Sequence, residues 1–387
     1  MTVSAPAGAT VDAARRVATS VARPAADAVD REGRFPHEAF AALRDERLLS
    51  ALVPSDLGGR GASLREVLEC CEALARACAS TAMIFAMHQI EVACIVRHHG
   101  VSPFFRDYLA GLARHEWLIA SATSEVGTGG DLRRSICAIT PDGARFHVSK
   151  QAPVVSYGEE ADDILLTARR QPDAAPGDQV LVLLRKGDTI LTRSGDWDAL
   201  GMRGTRSFGF IVESSATPHQ ILSTPFADIA TRTMVPVSHL LWSAVWLGLA
   251  SDAVSRARAF VRAEARRSPG VVPPGAFRLA EAVAELGTLR ATVRGGLAEV
   301  ERAEADTGVA GTVGFAIRMN TLKVSAAQMA PDIVGCALGV CGISGYRNDS
   351  AYSVGRHLRD AHSAPLMISN DRILSANAAM LLVHKED

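Results

Sequence analysis

The chain has 387 residues, 48% of them hydrophobic, which is enough for large cores and for two or three domains. With a formal net charge of −1, it lacks the overall positive charge with which many proteins attract nucleic acids. Seven cysteines without a C-x-x-C spacing do not form a disulfide framework. The stretch 1–24 lacks the apolar segment of a secretory signal, and the most apolar run, 240–250, is too short to span a bilayer. We therefore expect a soluble, cytoplasmic protein, and we predict no metal site and no nucleic-acid or membrane partner.

The first part of the chain has the apolar periodicity of α-helices. Apolar side chains in residues 64–78 recur at the spacing of one helix face. Ser63 precedes this run and Glu66 follows three positions later, which is the spacing of a capping box. A further helix is predicted between residues 35 and 49. Together these patterns predict an all-helical N-terminal domain over residues 1–115.

The pattern changes in residues 116–232, where short β-like runs alternate with polar turns. The clearest runs are residues 145–148, 163–167, 179–184 and 208–212. Because no helical run separates them, an antiparallel sandwich or barrel is favoured over a parallel sheet. We predict a middle β domain with these boundaries.

From residue 233 to the end the chain again reads as helical. Residues 240–254 are apolar on nearly every face, which predicts a buried helix. Residues 279–300 carry an apolar stripe at helical spacing. The predicted order is therefore helices, β domain, helices.

One polar stretch stands out at the start of the β domain. Residues 123–131 contain Thr and Ser hydroxyls, Glu125, and glycines at 127, 129 and 130. Glycines and hydroxyls of this kind let a backbone approach a phosphate or a dinucleotide closely. The stretch lacks the spacing of a Rossmann or P-loop motif, and such loops are more often simple turns.

Several short blocks, in chain order, resemble the acyl-CoA dehydrogenase superfamily. They are residues 35–61, the T-E-P-x-A-G-S-D-like loop 124–131, the L-G-x-R-G-T turn 200–205, residues 279–290, the G-G-x-G-Y-like block 340–346 and the R-x-x-R-D-A block 356–361. The resemblance implies an α+β multidomain fold with an N-terminal α-helical domain, a middle β-barrel or sandwich domain and a C-terminal four-helix bundle. It also implies bound FAD and a homodimer or homotetramer.

By the same resemblance, a set of residues is expected to contact the flavin: Ser124, Gly127, Gly129, Gly130, Ser156, Arg266, Arg267, Gly342 and Asn370. Arg266 and Arg267 are expected to reach the pyrophosphate from a neighbouring subunit. The chain departs from the family after Lys150, where two extra residues place Val154 at the usual Trp position. The Gln that normally precedes G-G is Gly339.

The largest departure concerns the carboxylate that removes the substrate α-proton. In the family it commonly lies nine residues after the Arg of R-D-A, which is Ile368 here, counted from Arg359. In some members it lies ten residues before a helix Gly, which is Ser238 here. Substitute bases are therefore sought among other residues: His88, Glu91, His239 and Glu125. His88 is the first choice, because imidazole titrates near neutral pH, and Glu91 is expected to orient its ring.

Four further residues in or near the R-D-A block are expected to have structural roles. His357 and His362 are predicted to lie on a solvated face of the bundle. Arg359 and Asp360 are predicted to pair with other helices rather than to take part in chemistry.

These observations leave three functions open. The first is an FAD-dependent dehydrogenase of an acyl thioester, carried on CoA or on an acyl carrier protein, with a flavoprotein or O2 as electron acceptor. The second is a flavin monooxygenase of the same fold that uses reduced flavin and O2. The third is a catalytically degenerate binding or scaffold protein.

Overall fold

The computed structural model describes residues 8–306 and 308–384. The N-terminal part is helical: α1 (Ala9–Val17), α2 (Arg23–Glu32), α3 (His37–Asp45), α4 (Leu64–Ala75), α5 (Ala79–His98) and α6 (Pro103–His115). The capping box predicted at the start of α4 is present, because Ser63 and Glu66 exchange both side-chain-to-backbone bonds. Helix α5 is buried on nearly every side and forms the centre of this part.

The middle part consists of two sheets. Its strands are β1 (Ile119–Ala122), β2 (Thr140–Asp142), β3 (Arg145–Val155), β4 (Asp163–Arg169), β5 (Gln179–Arg185), β6 (Thr189–Gly195) and β7 (Phe208–Ala216). One sheet has the order β1-β4-β5 and the other β2-β3-β7-β6. All neighbouring strands are antiparallel except β1 and β4, which are parallel. The antiparallel prediction misses this pair because β2 and β3, which intervene in the chain, belong to the other sheet.

The C-terminal part is a helical bundle. Its helices are α7 (Phe226–Ile229), α8 (Val235–Arg267), α9 (Ala276–Ala305), α10 (Val313–Cys341), α11 (Ile343–Tyr346), α12 (Gly355–Ala361) and α13 (Asn370–Leu381). The helical part begins at Phe226, before the predicted boundary at residue 233. The apolar stripe of α9 is buried at Leu286, Leu289 and Val293, whereas Val283 is 38% exposed.

Three helical stretches are long and apolar enough, by length and composition, to cross a membrane: Ala79–His98, Phe226–Arg267 and Val313–Cys341. In this fold the most apolar windows of the first two are 89% and 94% buried. Their apolar surfaces therefore form the cores of the N-terminal part and of the bundle. The apolar run 240–250 lies within α8 and is buried there as predicted.

One buried carboxylate joins the N-terminal part to the bundle. Asp252 of α8 lies 3.0 Å from Arg23 of α2, 2.9 Å from Arg256 and 2.9 Å from Nε2 of His357 on α12. These contacts hold the pKa of Asp252 well below its usual range against the effect of burial. His357 is buried by this pairing, so the prediction that it lies on a solvated face is wrong.

Candidate functional site

A cavity of about 540 Å³ lies where the three parts meet. Its walls come from α5, the end of β1 and the following loop, the end of β3, the turn before β7, the start of α8 and the segment after α12. Most lining side chains are apolar: Met83, Met87, Ile90, Leu132, Val154, Trp197, Leu200, Met202, Met234, Val235, Trp242, Leu366, Met367 and Ile368. A cavity of this size, lined mainly by apolar side chains with polar groups among them, is typical of a site for a small organic molecule.

The glycine-rich loop borders this cavity through Ser124, whose hydroxyl donates to the Val154 carbonyl at 2.8 Å. Gly127, Gly129 and Gly130 have positive φ angles and do not line the cavity. Arg372 of α13 donates to the carbonyl of Gly130 at 2.7 Å and to that of Gly129. The three glycines therefore shape a loop that is held by Arg372, and their contact with a flavin stays a prediction.

Glu125, at the base of this loop, is fully engaged by neighbouring groups. It accepts hydrogen bonds from the hydroxyl of Ser135 at 2.7 Å and from the backbone N–H groups of Ile136 and Cys137 at 3.0 and 2.6 Å. Lys150 lies 3.8 Å away, and burial lowers the pKa of this lysine to about 8. Glu125 does not line the cavity, and its oxygens already accept hydrogen bonds. It is therefore not positioned to act as a substitute base.

A chain of hydroxyl groups lines another wall. Ser156 lies 2.8 Å from Ser207, which lies 2.8 Å from Thr205, and Thr205 donates to the Met202 carbonyl at 2.8 Å. Because Thr205 uses its proton on Met202, Ser207 donates to Thr205 and Ser156 donates to Ser207. Ser156 therefore has lone pairs left to accept a hydrogen bond from a ligand in the cavity.

The turn that carries this chain is fixed by the segment around α12. The Met202 N–H donates to Asp360 Oδ1 at 2.7 Å, and a Cβ at Gly201 would lie 2.2 Å from the Arg359 carbonyl oxygen. Arg359 pairs with Asp30 of α2. The predicted structural pairing of Arg359 and Asp360 is therefore present, although both support the cavity and Arg359 lines it.

His88, the first choice for the base, lies outside the cavity lining. Its imidazole is fully buried, with Nε2 2.8 Å from the Leu49 carbonyl and Nδ1 accepting from the Ile119 N–H at 3.0 Å. Burial lowers the pKa of His88 to about 4. Both ring nitrogens are hydrogen-bonded to backbone groups, so these groups, and not Glu91, orient the ring. This geometry favours a packing role for His88.

His239 is likewise buried away from the cavity lining. Its Nδ1 lies 3.2 Å from the Met319 carbonyl, and burial, followed by the charge of Lys323, lowers the pKa of the imidazole to about 3. Lys323 donates to the Ile368 carbonyl at 2.6 Å and to Asn370 Oδ1 at 2.7 Å. Asn370 therefore helps to anchor the segment that carries Ile368, rather than lining the cavity.

Glu91 does line the cavity, and among residues 8–306 and 308–384 it is the one carboxylate that does so. Its side chain is buried, and burial raises the pKa of Glu91 to about 8, against a smaller opposing effect of a hydrogen bond with Ser121. Its Oε2 has no hydrogen-bond partner within the described part of the chain. Glu91 is therefore mainly protonated at neutral pH.

Both positions that the family uses for its base face the same cavity. Ile368 and Ser238 line it, and the Ser238 hydroxyl donates to the Met234 carbonyl at 2.5 Å. Neither side chain can take up a substrate proton at neutral pH, because Ile368 has no ionisable group and Ser238 has no base beside it.

The remaining predicted flavin contacts lie away from the cavity. Arg266 and Arg267 are exposed at the end of α8, and Arg267 pairs with Glu264 at 2.6 Å. Gly342 joins α10 to α11 with a φ angle of 54°. His362 lines the cavity and is exposed, in keeping with the solvated position predicted for it.

Sequence reasoning missed several lining residues. Ser207 lies two positions after the recognised turn 200–205, so its proximity to Ser156 could have been sought there. Trp242 lies within the apolar run of α8 and carries no motif that marks it. Its indole nitrogen has no hydrogen-bond partner among the described residues.

The cavity also fits the ring system of a flavin. Apolar lining side chains, including Trp197 and several methionines, suit a tricyclic ring, and the hydroxyls of Ser124 and Ser156 suit its polar edge. These residues would hold the ring, and the bound flavin would supply two-electron redox chemistry.

Comparison with known proteins identifies the family. Residues 7–116 match the acyl-CoA dehydrogenase N-terminal domain and residues 219–371 match the C-terminal domain. Cyclohex-1-ene-1-carbonyl-CoA dehydrogenase of Geobacter metallireducens is 24% identical over 94% of this chain and 94% of its own length. The probable FMNH2-dependent monooxygenase SfnC of Pseudomonas putida is 28% identical over 65% of this chain, and the match spans 62% of SfnC.

Solved structures agree on the fold. The FMN-bound crystal structure of TdsC from Paenibacillus sp. A11-2 has a TM-score of 0.84 at 22% identity and covers 98% of each chain. Methanesulfinate monooxygenase MsuC from Pseudomonas fluorescens has a TM-score of 0.82 at 21% identity over 97% of each chain. From the matched domains we conclude that this chain belongs to the acyl-CoA dehydrogenase superfamily and is a flavin-dependent oxidoreductase.

Proposed function

We propose that the protein is a flavin-dependent monooxygenase, which uses reduced flavin and O2 to oxidise a small organic substrate. One observation carries this proposal: both family positions for the α-proton base, Ile368 and Ser238, line the cavity and cannot accept a proton. A monooxygenase does not need a base there. Relatives named as monooxygenases support the proposal, although dehydrogenase relatives match over a greater length.

The residues of the chain have separable tasks in this reaction. A reduced flavin would supply two of the four electrons that O2 accepts; the substrate would supply the other two and gain one oxygen atom, and the second oxygen atom would leave as water. Met83, Met87 and Ile90 of α5 exclude bulk water from the cavity, and Ser156 presents an acceptor to the ring or the substrate. Glu91 holds a proton at its carboxyl group that can be donated during the reaction.

The test is oxygen incorporation. Purified protein would be supplied with FMN or FAD, NADH, a flavin reductase and isotopically labelled O2, with indole and dibenzothiophene as the first substrates. We expect one labelled oxygen atom in the product. Anaerobic bleaching of bound flavin by an acyl-CoA thioester, without labelled product from any aromatic substrate, would contradict the proposal.

The second candidate is an acyl-thioester dehydrogenase, and a specific observation favours it. Glu91 is a carboxylate in the cavity whose ionised fraction increases as pH rises through about 8, so above that pH it could remove an α-proton. This candidate predicts faster anaerobic bleaching by acyl-CoA at higher pH. It also predicts that Glu91→Gln slows bleaching by at least about 100-fold. His88→Gln, at the buried position one turn away, is the matched control and should leave the bleaching step near the wild-type rate.

For the cofactor we propose FAD, held between subunits of a homo-oligomer. Arg266 and Arg267 lie near exposed apolar side chains at one end of the bundle: Val271, Val272, Phe277, Ile343 and Tyr346. A group of exposed apolar side chains rimmed by polar residues is typical of a protein interface. If these arginines bind the FAD pyrophosphate of a neighbouring subunit, changing both to Ala weakens FAD binding and leaves FMN binding unchanged. Equal loss of both flavins, or of neither, would oppose this arrangement.

A further inference from the structure

A buried lysine of the bundle holds the turn 362–369, which joins α12 to α13. Lys323 of α10 is fully buried, and its Nζ donates to the carbonyl oxygens of Ala364 and Ile368 at 3.2 and 2.6 Å. A third bond, of 2.7 Å, goes to Asn370 Oδ1 at the start of α13. The three bonds use all three N–H groups of an ammonium. Among the described residues, no other group outside α12, the turn and α13 is hydrogen-bonded to the turn.

The ammonium group of Lys323 has no carboxylate beside it. In the part of the chain that the structure describes, its partners are uncharged oxygens and the ring of Trp246, whose centroid lies 5.7 Å from Nζ. Burial lowers the pKa of Lys323 to about 8, with no opposing effect of an anion. A buried charge without an ion partner is costly, so an apolar side chain would suit this position better for stability alone. The lysine therefore indicates a task that depends on its donors.

The turn 362–369 supplies one wall of the cavity, through the side chains of Leu366, Met367 and Ile368. The two carbonyls that the ammonium holds lie before and after Leu366 and Met367. Leu366 is 78% exposed and Ile368 is 38% exposed, so packing against the core does little to fix these two side chains. Bonds inside the turn, such as that from the Met367 N–H to the Ser363 carbonyl at 2.8 Å, shape it without tying it to the bundle. The position of this wall therefore depends on the bonds from the ammonium.

The backbone of Ile368 is strained at the point where the lysine binds it. Its φ angle is 51°, a conformation that a β-branched residue rarely adopts. Such strain persists where surrounding contacts impose it. The shortest bond from Lys323, of 2.6 Å, goes to the carbonyl of this same residue. Without that bond the backbone is free to return to an ordinary negative φ, which would turn the Ile368 side chain and move the wall.

We infer that Lys323 is a positioning residue, whose ammonium group fixes the turn 362–369 so that Leu366, Met367 and Ile368 limit the size of the substrate ring system. The inference rests on the proposed function in taking this cavity as the substrate site. It adds a residue that determines substrate specificity without contacting the substrate. When the ammonium is lost, the wall should retreat, so that small ligands lose contacts with it and larger ligands gain room.

Equilibrium binding of planar probes tests the position of the wall without turnover. Indole, carbazole and benzocarbazole differ by one fused ring each and share a single N–H group. Binding would be followed by probe fluorescence on the full chain with FMN present, at a temperature where each variant is folded. The measured quantity is the ratio of the benzocarbazole affinity to the indole affinity. In Lys323→Met, which keeps most of the side-chain length and loses the ammonium, we expect this ratio to rise about fourfold, the effect of one buried methylene group.

A matched control and a chemical rescue separate the ammonium from the packing of the bundle. Asn320 of α10 donates to Asn377 Oδ1 on α13 at 2.7 Å, so Asn320→Ala weakens the contact between these helices and should leave the affinity ratio unchanged. Lys323→Ala leaves a space for propylammonium, which has the atoms that the substitution removes. We expect added propylammonium to return the ratio towards the wild-type value. Propanol, which has a similar length and no charge, should have a much smaller effect.

Three results would overturn the inference. The first is an unchanged affinity ratio in folded Lys323→Met. The second is an equal change in Asn320→Ala, which would mean that loosening of the bundle is the cause. The third is equal rescue by propanol and propylammonium, which would assign the effect to packing.

A second variant covers poor folding of Lys323→Met. Asn370→Ala removes one of the three acceptors and keeps the ammonium, so it should raise the affinity ratio by about twofold. An unchanged ratio in that variant would also overturn the inference. Failure of the monooxygenase proposal is distinct, because it would appear in oxygen incorporation and not in these affinities.

Discussion

Two buried carboxylates near the cavity, Glu125 and Glu91, differ in how completely the fold satisfies them. Glu125 receives three hydrogen bonds from Ser135 and two backbone N–H groups, and it lies 3.8 Å from Lys150. Glu91 interacts with Ser121, and its Oε2 has no partner in the described part of the chain.

The difference separates a structural carboxylate from one directed at a ligand. A carboxyl group surrounded by donors is held in place by them and fixes the loop that donates to it. A carboxyl group in an apolar wall, with one oxygen unpaired, keeps its proton and can interact with whatever enters the cavity. From sequence alone both were simply candidate bases, so the partners around each group, rather than its identity, decide its role.

The largest expected effect comes from removing the satisfied carboxylate's charge. Glu125→Gln leaves the buried Lys150 without the carboxylate beside it. It also places an amide N–H2 group, which is a donor, against groups that are themselves donors. Breaking a buried pair in this way typically costs about 3–5 kcal/mol. Denaturant unfolding of wild type and variant near neutral pH measures the loss. A loss below about 1 kcal/mol would mean that the loop does not depend on Glu125.

The unsatisfied carboxylate should have the opposite effect on stability. Because the pKa of Glu91 is raised to about 8, the folded chain keeps a proton that the unfolded chain releases above about pH 4.5. Wild-type stability therefore falls, relative to Glu91→Gln, as pH rises from about 4.5 to about 8, and the difference is constant above that range. Between pH 4 and 7 the variant should gain up to about 3 kcal/mol on wild type.

Parallel denaturant titrations of the two proteins at several pH values measure this difference, and other titrating groups cancel in it. A constant difference across the range would show that Glu91 ionises normally in the folded chain. In that case the distinction between the two carboxylates would disappear.

A smaller effect is expected where the glycine-rich loop is held from outside. Arg372→Gln removes the donors to the carbonyls of Gly129 and Gly130, and an exposed hydrogen bond of this kind is worth about 1 kcal/mol. Hydrogen exchange in residues 126–131 should become about fivefold faster, whereas residues 135–137, held by Glu125, should be unchanged. Equal acceleration in both segments would show that they open together.

The smallest effect concerns the interaction of Ser121 with the Glu91 carboxyl group. Ser121→Ala removes a contact that lowers the pKa of this carboxyl group, so the pKa should rise further. We expect a shift of less than about one unit, because burial is the dominant cause. The pH dependence of the stability difference between Ser121→Ala and the Ser121→Ala/Glu91→Gln double variant measures it. A downward shift would contradict the assigned direction.

Local patterns in the sequence predicted much of the fold, and long-range contacts account for most of the errors. The capping box at Ser63 and the apolar faces of α8 and α9 depend on residues within a few turns. His88 is excluded from the cavity by Leu49 and Ile119, and His357 is buried by Asp252. No periodicity reveals such partners, because the residues involved are far apart in the chain.

The contrast between local patterns and long-range contacts also holds for the residues of the site. Ser156 and Glu91 were found through alignment and helix spacing, and both line the cavity. Trp242 was missed because the sequence pattern of an aromatic residue in an apolar helix is that of a core residue. What distinguishes Trp242 from a core residue is that its indole nitrogen has no hydrogen-bond partner among the described residues. The parallel pairing of β1 with β4 was missed because strand order is not a local property.

The charge cluster at Asp252 has a consequence for how the chain folds. Its partners Arg23 and His357 come from nearly opposite ends of the sequence, and both must be present before the carboxylate is fully compensated. During synthesis, Asp252 therefore waits for almost the whole chain before it has all of its partners. Contacts of such high sequence separation slow folding and leave apolar helices exposed in the meantime. We expect fragments that lack either end to aggregate, and slower translation before residue 357 to lower the yield of native protein.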